Sequence, residues 1–154
     1  MASPSKKPRS GNARSAARLA AVQALYQREM SGAAVPLLLS EFHQHRLGAE
    51  IEGDQFREAD VDFFNDVVKG VDARLAEIDA MLGENLAEGW TLDRLDRPMR
   101  QIVRAGAYEL VARADIPTAA IINEYVDVAH AFYEAREAKF VNGLLDSIAK
   151  KARG

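Results

Sequence analysis

Lys6, Lys7, Arg9, Arg14 and Arg18 can gather on one polyanion, and no acidic residue precedes Glu29. Phosphate binding needs such a set: cations that displace condensed counterions, with few carboxylates nearby to repel the ligand. Arg14 and Arg18 are four residues apart, so on a helix they project from neighbouring positions on one face. A guanidinium offers a planar fork to a phosphate and a flat surface to a base. The same residues also fit a solvated helix face behind a polar arm. Charge alone does not separate DNA, RNA or an acidic protein as the ligand.

This basic front end belongs to a chain whose formal net charge is −3. Residues 1–28 carry +6, residues 29–96 carry −11 and residues 97–154 carry +2. Net charge therefore conceals a local cationic end.

No other cluster singles out a reaction. His43 and His45 are two apart, which on a helix sends them to roughly opposite sides. His130 stands alone, and no H-E-x-x-H pattern occurs. The absence of cysteine excludes disulfides, thiolate metal sites and a cysteine nucleophile. Gly-rich phosphate loops and the G-x-S-x-G elbow are missing, and no carboxylate pair is spaced as a general acid and base. The reading is non-enzymatic, with no cofactor and no metal. Lack of cysteine fits a reducing cytosol, though a secreted protein can also lack cysteine; a cytoplasmic location is expected. "MASPSKKPRSGN" has no apolar segment and does not read as a secretory signal. No run approaches the roughly 18 apolar residues of a membrane span.

At 154 residues and 48% hydrophobic, the chain reads as one domain with a proper core. Residues 1–12 read as a flexible basic arm, and 13–154 as a single helical domain. A helix is expected over about 13–30, capped by Ser10 or Asn12, with Leu19, Val22, Leu25, Tyr26 and Met30 on one side and Ser31-Gly32 as its stop. A second is expected from Pro36 to about Leu47, followed by an acidic, turn-rich stretch over 48–59. Asp60 reads as the N-cap of a long helix through Leu82, with Gly70 inside it and Gly83 ending it. A short helix capped by Thr91 is expected in the connector that follows. Asp96 reads as a cap for a helix to about Arg113. Pro117 or Thr118 opens the next, and a last helix covers about 137–151. With no strand-like alternation and no repeat of roughly 20–50 residues, the fold class is all-α, a bundle of six to seven helices.

Within these helices Tyr26 falls in the apolar arc, which suggests core or interface packing. Arg104, Glu109, Asn123 and Glu124 stand among apolar neighbours, where polar groups are usually paired across helices. Gly106 in "RAGAYEL" removes a side chain where another helix can approach closely. Lys139 and Asn142 share the polar face of the last helix with Asp146 and Lys150.

Three long stretches, in order, resemble the NusB family of bacterial transcription antitermination factors. "ARLAAVQALYQREMSG" (17–32) is similar to the family's opening helix. "LDRPMRQIVRAGAYELVARADIPTAAIINEYVDVA" (95–129) is similar to its central pair, and "KFVNGLLDSIAK" (139–150) to its closing helix. The resemblance covers most of residues 14–150. It implies a compact helical fold of two packed halves and no enzymatic activity. It also implies binding of boxA RNA, single-stranded, in nascent ribosomal transcripts. That binding takes place together with the small-ribosomal-subunit protein NusE, within an antitermination complex on RNA polymerase. Carried over, the family's basic N-terminal region falls on Lys6, Lys7, Arg9, Arg14 and Arg18, with Lys139 as a further RNA candidate. Tyr26, Asn123, Glu124 and Asn142 are the candidates for a partner or packing interface. Apolar surface on the first helix also fits a homodimer. Before "KFVNG", where the family commonly has a Gly-containing turn, this chain has "YEAREA" (133–138).

Two alternatives stand beside this reading. One is a helical interaction module of another regulatory system. The other is the N-terminal domain of an RNA cytosine methyltransferase, for which a chain ending at Gly154 has no catalytic domain.

Overall fold

The computed structural model describes residues 9–43 and 60–154, with side chains from Ala13 onward in the first stretch. Among the described residues the chain is helical throughout, with no strand. The helices are α1 (Arg9–Ser31), α2 (Val35–Phe42), α3 (Val61–Ala73), α4 (Leu75–Asn85), α5 (Arg97–Ala112), α6 (Thr118–Phe132) and α7 (Ala135–Ala152). A single 3-10 turn, Leu92–Arg94, lies between α4 and α5. None of these helices is long and apolar enough to cross a membrane. The end of the expected second helix, His45 and the acidic stretch over 48–59 lie outside the described residues.

Local chemistry accounts for several boundaries. Gly32 takes φ +73°, the left-handed conformation that glycine adopts without steric penalty, and its N–H closes on the Arg28 carbonyl at 2.9 Å. Asp60 caps α3 by accepting from Phe63 N at 3.0 Å, and Asp96 caps α5 by accepting from Met99 N at 3.3 Å. Four expectations are corrected. α1 spans Arg9–Ser31, which places the backbone of Ser10 and Asn12 inside the helix and not ahead of it. The long helix after Asp60 bends at Arg74 (φ −113°, ψ 24°), although Arg74 N→Gly70 O and Ile78 N→Arg74 O carry the hydrogen-bond ladder through the bend. Gly83 lies within α4, which continues to Asn85. Thr91 precedes the 3-10 turn without a side-chain cap and contributes only its carbonyl, to Arg94 N.

The chain divides into two compact units between Val68 and Lys69, within α3. In the first, α1 packs against α2. The buried seam of α1 runs through Ala17, Ala21, Val22, Ala24 and Leu25, whereas Tyr26 is 38% exposed and Met30 51%. This corrects the core reading of Tyr26. Alanines, which allow close helix approach, carry the seam, and the larger apolar residues misplace its centre when read alone. The Phe42 and Phe64 rings stack at 5.6 Å, and His43 Nε2 lies 2.9 Å from Asn65 Oδ1.

In the second unit α5, α6 and α7 pack pairwise, and α4 packs against α5 and α7. Arg104 grips Asp79 with Nε and Nη2 at 2.8 and 2.9 Å, joining α5 to α4. The buried Tyr125 hydroxyl donates to the buried Glu109 carboxyl at 2.5 Å, joining α6 to α5. The interhelix pairing expected of Arg104 and Glu109 is thus present. The α6–α7 connector is short, and its Tyr133 hydroxyl donates to Asp96 at 2.5 Å. Burial, and then this bond, push the Tyr133 pKa upward.

Two glycines mark close approaches. A Cβ at Gly106 would meet Leu145 Cδ1 at 2.7 Å, as the sequence suggested, and one at Gly70 would meet Tyr108 Cζ at 2.2 Å. Gly70→Ala is therefore expected to destabilise the protein by about 1–3 kcal/mol through overpacking, despite Ala's better helix propensity. Thermal unfolding followed by circular dichroism checks this. An unchanged or raised Tm would show that the buried Tyr108 ring yields freely.

Candidate nucleic-acid interface

The first turn of α1 contains no acidic residue, so the positive end of the helix dipole adds to the cations there. The start of α3 meets α1 at Ala13 and Arg14. Asp60 N donates to Ala13 O at 3.0 Å, and Arg14 Nε donates to Asp60 Oδ2 at 3.5 Å. The Arg14 guanidinium carbon lies 4.8 Å from the centroid of the Phe63 ring, and that of Arg18 lies 4.7 Å from the same centroid. Both separations are within the range of cation–π attraction.

The two arginines expected to share a helix face are therefore brought together, but with different exposure. Arg14 keeps 37% of its side-chain surface open. Among the described residues Asp60 is the only hydrogen-bond partner of its side chain, made through Nε. Arg18 is 4% exposed and has further protein partners. Its expected role as a direct phosphate contact is revised: as placed, it supports its neighbours and turns little surface outward. Lys6 and Lys7 lie outside the described residues. Arg9 opens α1, and its side chain also lies outside them.

The remaining candidates are spread over other elements. Lys139 and Asn142 are exposed on α7, three residues apart. Arg136, 89% exposed along its side chain, lies a further three residues back and was not singled out from the sequence. Asn123 is exposed on α6, while Glu124 is half-buried and has protein partners. Tyr26, exposed on α1, retains only the interface half of its expected role. Asp60 and Phe63 were legible as a cap and a core residue, but not as the surroundings of Arg14. No local signal links positions 46 residues apart.

Comparison with known proteins settles the family. A model of the NusB family matches residues 15–150. The chain belongs to the NusB family. It is 67% identical over 144 residues to the transcription antitermination protein NusB of Novosphingobium aromaticivorans, covering 94% of this chain and 97% of that one. Against the NusB of Caulobacter vibrioides it is 51% identical over 140 residues, covering 91% of this chain and 94% of that one. Among solved structures, T. maritima NusB superposes with a TM-score of 0.75 at 28% identity, covering 100% of this chain and 96% of that one. The fold class read from the sequence and the fold of these NusB-family proteins agree.

Proposed function

We propose that the protein is a non-enzymatic, cytoplasmic antitermination factor that binds boxA-like single-stranded RNA of nascent ribosomal transcripts. It acts together with NusE, as part of a complex on RNA polymerase. Lys6, Lys7, Arg9 and Arg14 contact phosphate, Arg18 supports Arg14, and Lys139 is a further RNA candidate. One observation carries this reading: Arg14, one turn beyond a first turn of α1 that carries no acidic residue, is held by Asp60 through Nε and keeps its two terminal amino groups uncommitted among the described residues. That is the arrangement a phosphate ligand requires. The choice of RNA over other polyanions rests on the resemblance to the NusB family, whose relatives carry the antitermination name.

The test is fluorescence anisotropy of a labelled boxA RNA at several salt concentrations, with and without NusE. Binding is expected to tighten with NusE. The logarithm of the binding constant should fall with log salt at about −0.7 per phosphate neutralised. Arg14→Gln is expected to weaken binding about tenfold, the loss of one charged hydrogen-bonding contact, and to reduce the slope by about 0.7. Arg18 is left intact, because a change at a buried cation would confound binding with folding. Wild-type affinity in Arg14→Gln, at equal helicity, would remove Arg14 from the site. No RNA binding by the wild type in either condition would overturn the proposal.

A further inference from the structure

Resting on that RNA reading, we propose that Phe63 is a positioning residue for RNA binding: its buried ring presets the Arg14 guanidinium so that the Nη1/Nη2 edge is offered to phosphate. Phe63 is 2% exposed and cannot itself reach a ligand. Its effect must pass through what its ring touches, and the ring carries both the Arg14 and the Arg18 guanidinium at under 5 Å.

The surrounding geometry restricts Arg14 at three points. The Asp60 N–H fixes the backbone one residue earlier by binding Ala13 O, and the Asp60 carboxylate takes Nε. The ring fixes the guanidinium plane from one side. An arginine can present a fork through Nε with one amino group or through its two amino groups. With Nε engaged, the end-on edge remains, and among the described residues no acceptor occupies it. An unrestrained arginine loses rotamer freedom when it captures a phosphate. One already held in place loses less, so the same contact binds more tightly.

A purely structural account holds that the ring only helps to seat α1 on α3. The two accounts differ in one measurable respect. A positioning residue acts only while Arg14 is present, whereas a structural residue acts regardless of it. The experiment is a double-mutant cycle on RNA affinity, using the boxA probe with wild type, Phe63→Leu, Arg14→Gln and the double variant, each checked for helicity and Tm. Phe63→Leu is expected to weaken binding about two- to fivefold, the value of an exposed cation–π contact, with the salt slope unchanged because no phosphate contact is removed. In the Arg14→Gln background the same substitution should change affinity by less than its effect in the wild type, approaching none. Phe63→Tyr, which keeps the ring, should restore most of the affinity. If Phe63→Leu does not fold, Phe63→Met replaces it in the cycle, being similar in volume and lacking a ring.

Equal effects of the substitution in both backgrounds, or no effect in the wild type, would overturn the inference and leave the RNA reading standing. Absence of RNA binding by the wild type would overturn both.

Discussion

Arg153→Ala is expected to lower the Tm by roughly 6–12 °C. Arg153 directs its whole guanidinium into the end of α5 and the start of α6. Nε donates to Leu110 O at 2.8 Å, Nη1 to Ile116 O at 2.8 Å and to Thr118 Oγ1 at 3.0 Å. Nη2 donates to Arg113 O at 2.7 Å and to Glu109 O at 3.4 Å. The last carbonyls of an α-helix have no partner within it, and they form the negative end of its dipole. A cation satisfying several of them at once replaces both missing donors and missing charge. Charged hydrogen bonds contribute about 1.5–3 kcal/mol each, but those made by one group are not additive, so a total near 3 kcal/mol is expected. At about 2–4 °C per kcal/mol for a chain of this size, the Tm shift follows. Lysine has a single ammonium and cannot span carbonyls placed around a planar fork, so Arg153→Lys should recover little. Thermal unfolding at fixed salt measures both variants. A shift below about 2 °C would mean that the terminal turn frays and that water satisfies these carbonyls.

Glu109→Ala is expected to destabilise by about 3 kcal/mol or more, with the loss concentrated at the α5–α6 contact. Glu109 and Tyr125 are both fully buried, and the carboxyl accepts from the Tyr125 hydroxyl. Truncation leaves a buried hydroxyl without this acceptor and opens a cavity, two penalties that add. Tyr125→Phe should cost less, about 1–2 kcal/mol, because the buried Glu109 carboxyl loses this one donor while the ring stays and little void opens. Denaturant titration orders the two. If Tyr125→Phe proved as damaging as Glu109→Ala, the hydroxyl rather than the carboxyl would be the group that organises this contact.

The helices and their ends were largely legible in the sequence because capping and turn formation are local. Asp60 and Asp96 accept from backbone groups three residues on, and Gly32 closes a helix that ends one residue earlier. The bend at Arg74 and the continuation past Gly83 were not legible, since isolated propensity does not say how a helix meets its neighbours. Gly106 could be read as a close approach because a glycine inside an apolar helix pays a propensity penalty that only packing offsets. Gly70 carried the same penalty, but its partner ring lies 38 residues away.

By itself the sequence determined an all-helical chain, a basic segment free of acid before Glu29, and family motifs specific enough to name the NusB family. Tertiary structure alone decided which of the cations stays open. Arg14 and Arg18 are equivalent by type and spacing and lie over the same Phe63 ring, yet in the folded chain the first is half-open and the second buried. The same holds for Arg153, the C-cap of α7 next to the basic Lys150 and Lys151, whose role is set only when the fold brings the carbonyls of Leu110, Arg113 and Ile116 to it. Exposure and hydrogen-bond partners depend on chain segments about 35 to 46 residues away, and no local pattern encodes what those segments deliver.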